Sequence, residues 1–268
     1  MNSDPTLGAP VSRRRVPSVH ETRIAGETPV FPGALLKSRQ LEPEWLDFLP
    51  NSDLRAQRSR SDLRRLNRLM GHARIARAIL RPLKTEARPL RLTEIGAGDG
   101  SFLLSVAGGL GRKWGGTRAI LVDRLTLLTD EMSRAFCNLG WAVQARTCDV
   151  LDWCDEPDRH SSPVTLANLF LHHLDSESLR RLLAVLAGRS SCFIAIEPRR
   201  SLLSLCFSKL VGLIGCNEVT RHDAPASVRA GFRQNELTRL WPRSSEWKMR
   251  EGRVGAFSHL FVARRLPD

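Results

Sequence analysis

The chain has 268 residues, 42% of them apolar, with a net charge of +13 and no tyrosine. This length and apolar content allow one domain with extensions and a sizeable core. The charge excess invites a nucleic-acid reading, but it is uneven: 17 Lys and Arg face 9 Asp and Glu up to Leu90, against 24 and 19 in the longer remainder. Six cysteines show no C-x-x-C pair and no Cys/His ligand spacing, so a reducing compartment is expected and no metal site. The longest apolar stretch, Ser201 to Cys216, is interrupted by Lys209 and is too short for a membrane span. Nothing near Met1 has the charged-then-apolar pattern of a secretory signal, and a cytoplasmic location is expected.

Met1 to Leu36 contains five prolines and no sustained period, which predicts a disordered basic leader over 1–36. Residues 37–90 then read as a helical extension or lid. Trp45, Leu46, Phe48 and Leu49 predict one or two helical turns, and Asn51-Ser52-Asp53 supplies a cap for a following helix. Leu63, Leu66, Met70, Ala73 and Ala76 lie near helical spacing within Ser61 to Leu80, while Arg64, Arg65, Arg68 and Arg74 occupy other faces. One amphipathic helix with an arginine-rich side is expected there.

Residues 91–268 read as the main domain. Leu92-Thr93-Glu94-Ile95 predicts a strand, Gly96-Ala97-Gly98-Asp99-Gly100 a tight turn, and Ser101-Phe102 onward a helix. Glycines at alternate positions permit positive φ and let a ligand approach the main chain beside the free amides of the helix. The spacing is G-x-G-x-G with a carboxylate before it, not the G-x-G-x-x-G of a dinucleotide turn. That pattern favours a ligand with a cationic or hydrogen-bond-donating part over a pyrophosphate.

Strands are predicted over Arg118 to Asp123, Trp141 to Arg146, Val164 to Asn168 and Ser191 to Glu197, with helical patterns over Leu127 to Leu139 and Ser176 to Leu186. Repeated strand-helix units of this length indicate a doubly wound, mostly parallel α/β sheet. Ligands of such sheets bind at the carboxyl ends of the strands, which makes Asp123 a candidate for both hydroxyls of a ribose. Lys248 to Val254 and His259 to Arg264 read as two further strands joined by a short turn.

Glu94 to Gly100, Asp123, Asp149-Val150, Asn168 with Leu171-His172-His173-Leu174, and Glu197-Pro198 form an ordered set. It resembles the motifs of the class I S-adenosylmethionine (SAM) methyltransferases, over about Arg91 to Glu197. The segment after the fourth strand is similar to that of ubiquinone/menaquinone-type enzymes. More weakly, Thr220 to Asp223, Ser227 to Phe232 and Phe257 to Phe261 resemble bacterial enzymes acting on phenolic polyketides or quinones. The resemblance implies a Rossmann-like seven-stranded sheet ending in an antiparallel pair. It also implies that Glu94, Gly96, Gly98 and Gly100 hold the methionine part of SAM, that Asp149 and Val150 hold the adenine, and that Asn168 belongs to the cofactor set.

The implied activity is methyl transfer from SAM to an oxygen, or less readily a carbon, of an apolar aromatic, polyketide or quinone-like small molecule. That chemistry needs alignment and a base for the acceptor proton, and it needs no metal. His172, His173 and His222 are the candidate bases, and Glu197 and Arg199 candidates for positioning a substrate. The alternatives are an RNA or protein methyltransferase using the arginine-rich segment, or a SAM-binding protein without turnover. The nucleic-acid branch loses weight because no N-P-P-Y or D-P-P-Y tetrad follows the fourth strand and no cysteine pair is placed for base methylation.

Overall fold

The computed structural model describes residues 36–83, 90–156, 162–242 and 245–266. The leader expected over 1–36 therefore lies outside the described residues except for Leu36, which is buried against Leu205 and Val228.

Five parallel strands, β1 (Arg91–Ile95), β2 (Arg118–Asp123), β3 (Ala142–Thr147), β4 (Val164–Asn168) and β5 (Cys192–Pro198), alternate with helices α3 (Ser101–Ala107), α4 (Asp130–Asn138), α5 (Val150–Asp155) and α6 (Ser176–Arg189). β6 (Trp247–Val254) and β7 (Ser258–Arg265) complete a seven-stranded sheet in the order β3-β2-β1-β4-β5-β7-β6. β7 runs antiparallel to both β5 and β6, as expected of the terminal pair. The strand order reverses between β1 and β4, and a crevice opens at the carboxyl ends of the strands at such a reversal.

Alternation along β5 divides the core. Cys192, Ile194 and Ile196 join the layer containing Phe102, Leu103, Phe136 and Trp141. Phe193 and Ala195 join the opposite layer with Leu179, Leu183, Trp241 and Phe261. Phe193 is fully buried, and burial of a side chain of this size contributes roughly 1.5–3 kcal/mol.

The segment before the sheet contains α1 (Leu54–Met70) and α2 (His72–Leu80), where one helix was expected. Asp53 caps α1 by accepting from the Arg55 amide at 2.8 Å. The break falls at Gly71, whose φ of 69° is the left-handed conformation that ends helices and that side chains resist. Ala76 and Leu80 of α2 pack in the same core layer as Phe102 and Leu103 of α3.

α1 buries a partly polar face. Ser59 Oγ lies 2.9 Å from Thr220 Oγ1, and Asp62 accepts from the Asn217 amide at 2.7 Å. Those partners open α8 (Glu218–Ala230), which carries Pro225 inside it. Two shorter helices, α7 (Leu202–Lys209) and α9 (Glu236–Leu240), flank α8 in sequence. The apolar run from Ser201 is a helix followed by a 3-10 turn at Val211–Ile214, and it is only partly packed. Leu202, Leu203, Leu210 and Leu213 are exposed, while Ser204, Phe207, Ser208 and Val211 line the crevice.

Candidate active site

The crevice is a cavity of about 640 Å³ running from the glycine turn to the inner side of α7 and α8. Its first half is made by the ends of β1, β2 and β3. Gly96, Gly98 and Gly100 have φ of 64°, 56° and 79°. A Cβ on Gly96 would stand 2.2 Å from the Phe170 ring, whereas one on Gly98 would meet nothing within 4 Å. Gly98 thus leaves its main chain open to the cavity.

Under this turn Glu94 is completely buried, and its Oε2 has no hydrogen-bond partner. Burial, reinforced by the charges of Asp99 and Asp123, raises its pKa well above the usual carboxylate range. A buried orphan carboxyl oxygen is costly, so the turn is incomplete without a donor or a cation facing it. Asp123 ends β2 with Oδ2 accepting from the Gly98 amide and Oδ1 from the Leu125 amide, at 2.8 and 2.9 Å. Asp149 caps α5 through the Leu151 amide at 2.8 Å, with Val150 buried beside it. All of these residues except Gly100 line the cavity.

Asn168, at the end of β4, is fixed from the extension. Its Nδ2 donates to Asn67 Oδ1 at 3.2 Å, and its Oδ1 lies 2.8 Å from His72 Nδ1. With the amide so oriented, His72 Nδ1 is the donor and Nε2 accepts from Ser258 Oγ at 2.7 Å. Burial lowers the His72 pKa to about 4 against the pull of Asn168 and Glu197. His72 therefore holds α2, β4 and β7 together as a neutral ring.

The second half is an apolar chamber walled by Met70, Phe207, Val211, Val228 and Phe257, with the Phe207 and Phe257 rings stacked at 4.1 Å. His172 sits at its junction with the first half. Past the end of β4 the chain is strained: Leu169 is a non-glycine residue with φ of 54°. The next turn is pinned by Arg39, which donates to the Leu174 and His172 carbonyls at 2.8 and 3.0 Å. His172 Nδ1 lies 2.8 Å from Glu197 Oε2, and Glu197 Oε1 accepts from the Phe170 and Leu171 amides.

Glu44 faces His172 from the opposite side, with Oε1 3.5 Å from Nε2. Burial alone would lower the His172 pKa, but Glu197 and Glu44 outweigh it and raise it to about 9. Burial works against the ionised Glu44 too, yet His172, His173 and Ser227 bring its pKa down to about 2. His173 moves the other way, lowered by burial and by the neighbouring His172 charge.

Glu44 is held there by a clamp on α8. The Trp45 and Leu46 amides donate to the two oxygens of Asp223 at 2.8 and 3.0 Å, and the Trp45 ring stacks on His222 at 3.9 Å. Of the three candidate bases, His172 and His173 line the cavity and His222 does not. His222 supports the segment that carries Glu44. Arg199, the other substrate-positioning candidate, is not the partner of Glu197, whose carboxylate is taken by His172 and two backbone amides. Glu44 and His72 were not assigned a role from sequence, and Asp223 entered only within the Thr220 to Asp223 resemblance.

No family model and no curated protein sequence matches the chain. Solved structures do match in shape. An O-methyltransferase family protein from Burkholderia thailandensis superposes with a TM-score of 0.55 at 15% identity, over 88% of this chain and 68% of that one. The chain has the class I methyltransferase fold. The plantazolicin methyltransferase, solved in complex with SAH, gives a TM-score of 0.56 at 15% identity, over 80% of this chain and 91% of that one. An O-methyltransferase family 2 protein from Planctomyces limnophilus, solved with apigenin, gives 0.52 at 16% identity, over 81% and 63%. In a methyltransferase fold, the crevice at the β1–β4 reversal is where a ligand of the glycine turn sits.

Proposed function

We propose that this protein is a SAM-dependent methyltransferase that methylates an oxygen of an apolar aromatic, polyketide or quinone-like small molecule. The observation that carries the reading is the continuity of the cavity. The same 640 Å³ space is lined by Glu94, Gly98, Asp123 and Asp149 at one end and by Phe207, Phe257 and His172 at the other. Its volume is that of a small-molecule site.

The residues fit the cofactor chemically. The orphan Glu94 oxygen calls for a cationic or donating group, Asp123 offers carboxylate oxygens for ribose hydroxyls, and Val150 an apolar surface beside the Asp149 carboxylate. SAM supplies an activated methyl group, so the protein's share is to align the acceptor and take up its proton. The apolar chamber excludes water and orients an aromatic acceptor. His172, steadied by Glu197 and faced by Glu44, is the acid–base group nearest the junction; with its pKa raised to about 9 it takes up the acceptor proton only where it is neutral, so turnover should rise with pH toward about 9.

The alternative of a nucleic-acid or protein acceptor has less support from the arginine-rich face. Of the four arginines of that face, Arg64 pairs with Asp99 and Arg65 with Asp62, so these two are engaged within the protein.

The deciding experiment is calorimetry with SAH, SAM and NAD. SAH binding in the micromolar range, about −8 kcal/mol, is expected, and Asp123→Ala should weaken it by about 1–3 kcal/mol through lost charge-assisted bonds. Tight NAD binding with none for SAH would end the reading.

A further inference from the structure

The spacing of cysteines and histidines along the sequence suggested no metal site, and the fold brings a different set of possible ligands together. Glu44, His172 and His173 each offer one ligand atom, and the three atoms lie within 4.8 Å of one another. The 3.5 Å between Glu44 Oε1 and His172 Nε2 exceeds the usual N–H···O hydrogen-bond length of about 2.7–3.2 Å. Two ligands of a tetrahedral ion, each about 2.0–2.1 Å from it, stand roughly 3.4 Å apart. The gap is that of an ion pair, with Glu44 also accepting from Ser227, and it is equally wide enough for both side chains to ligate one ion.

The surroundings agree. His172 presents Nδ1 to Glu197 Oε2 at 2.8 Å, the outer carboxylate contact that orients a ligating imidazole and leaves Nε2 toward the ion. His173 Nδ1 has Asp47 Oδ2 at 3.7 Å. Three carboxylates thus gather around two imidazoles; Asp47 is also paired with Arg124, and Glu44 and Glu197 supply the charge that a divalent cation would offset. The cluster also borders the chamber, so an ion held there would lie beside the space for an acceptor.

We propose that Glu44, His172 and His173 bind one divalent ion of the zinc class, with an open position for the hydroxyl oxygen of the acceptor. Three protein ligands and an open fourth position make a catalytic rather than a structural metal site. With the ion bound, His172 would serve as a ligand in place of its acid–base role; the ion would favour acceptors with a phenolic or enolic hydroxyl, lowering the hydroxyl's pKa so that its proton leaves to solvent before methyl transfer. This inference rests on the methyltransferase reading for the use of the site, but not for the binding of the ion.

The test uses the full-length protein, freed of metal by chelation and titrated with Co²⁺ alone, followed by visible absorption, and with Zn²⁺ alone by calorimetry. One ion per chain is expected, with the d–d bands of nitrogen and oxygen ligation and no sulfur charge-transfer band. Glu44→Gln and His173→Gln should each weaken binding at least about tenfold, while a variant with the exposed Cys137 and Cys206 both changed to Ser should bind as the wild type does. Two substitutions at different exposures guard against one that misfolds, and thermal melting of each verifies the fold. No binding, or binding lost in the cysteine variant and kept in Glu44→Gln, overturns the site. SAH calorimetry on the same metal-free protein separates the two readings: SAH binding without metal binding removes only the metal, and metal binding without SAH binding removes only the methyltransferase.

Discussion

The cofactor half of the cavity is framed by strand ends, and the acceptor half by side chains reaching in from distant segments. At the glycine turn, carboxylates are tied to main-chain amides: Asp123 to Gly98 and Leu125, Asp149 to Leu151. The sheet itself sets their spacing, and such groups move only if strands move. Glu44 owes its place to side chains of α8: Ser227 donates to its carboxylate, and Asp223 and His222 hold the adjoining Trp45 and Leu46. The first half is thus fixed by backbone, the second by a few replaceable side-chain contacts. On the methyltransferase reading proposed above, such a division would keep the cofactor half constant while the acceptor half varied.

Three perturbations probe that division. The largest effect is expected from His172→Ala, which removes the acid–base group at the junction. Turnover should fall about 10²- to 10⁴-fold with SAH affinity nearly unchanged, measured by single-turnover methyl transfer and calorimetry. Equal losses in both would mean that the two halves are not separable.

The second concerns His72, whose ring joins α2, β4 and β7. Its folded-state pKa is lowered to about 4, against about 6.5 in an unfolded chain. The unfolded state therefore takes up the proton first, and stability falls as pH drops from about 6.5 to about 4, by about 3 kcal/mol in all. Above that window this group adds no pH dependence. Urea unfolding of wild type and His72→Gln across the window should show this slope only in the wild type. Parallel curves would mean that His72 is charged or reached by water in the folded state.

The smallest effect is expected from Asp223→Ala, which loosens the clamp on Trp45 and Leu46. The KM for the acceptor should rise about tenfold, about 1.4 kcal/mol, while SAH binding shifts by less than about threefold. A comparable loss of SAH affinity would tie the clamp to the cofactor half.

The same division explains what could be read from sequence. Glu94 to Gly100, Asp123 and Asp149 lie at or just past strand ends that hydrophobic runs reveal, and all of the candidates among them but Gly100 line one crevice. The parallel strands were also legible from their apolar runs, whereas the antiparallel ending was expected from the family resemblance, since charges interrupt β6. His172 was visible as a candidate through its position after β4. Glu44 was not, since nothing local to Leu41–Pro50 says which distant turn it meets. The docking of α1 on α8 was hidden because its contact face carries Ser59 and Asp62, which hydrophobic periodicity does not register. The break at Gly71 was passed over because apolar residues keep helical spacing on both sides of it.

Glu94 carries one more consequence. In the ligand-free protein its burial beside Asp99 and Asp123 keeps the carboxyl protonated beyond the usual range. A cationic ligand seated against it reverses that balance and favours the carboxylate. Occupying the turn then expels a proton to solvent, and affinity rises with pH until Glu94 ionises without help. The glycine turn is in that sense an exchanger, releasing one small cation as it takes in a larger one.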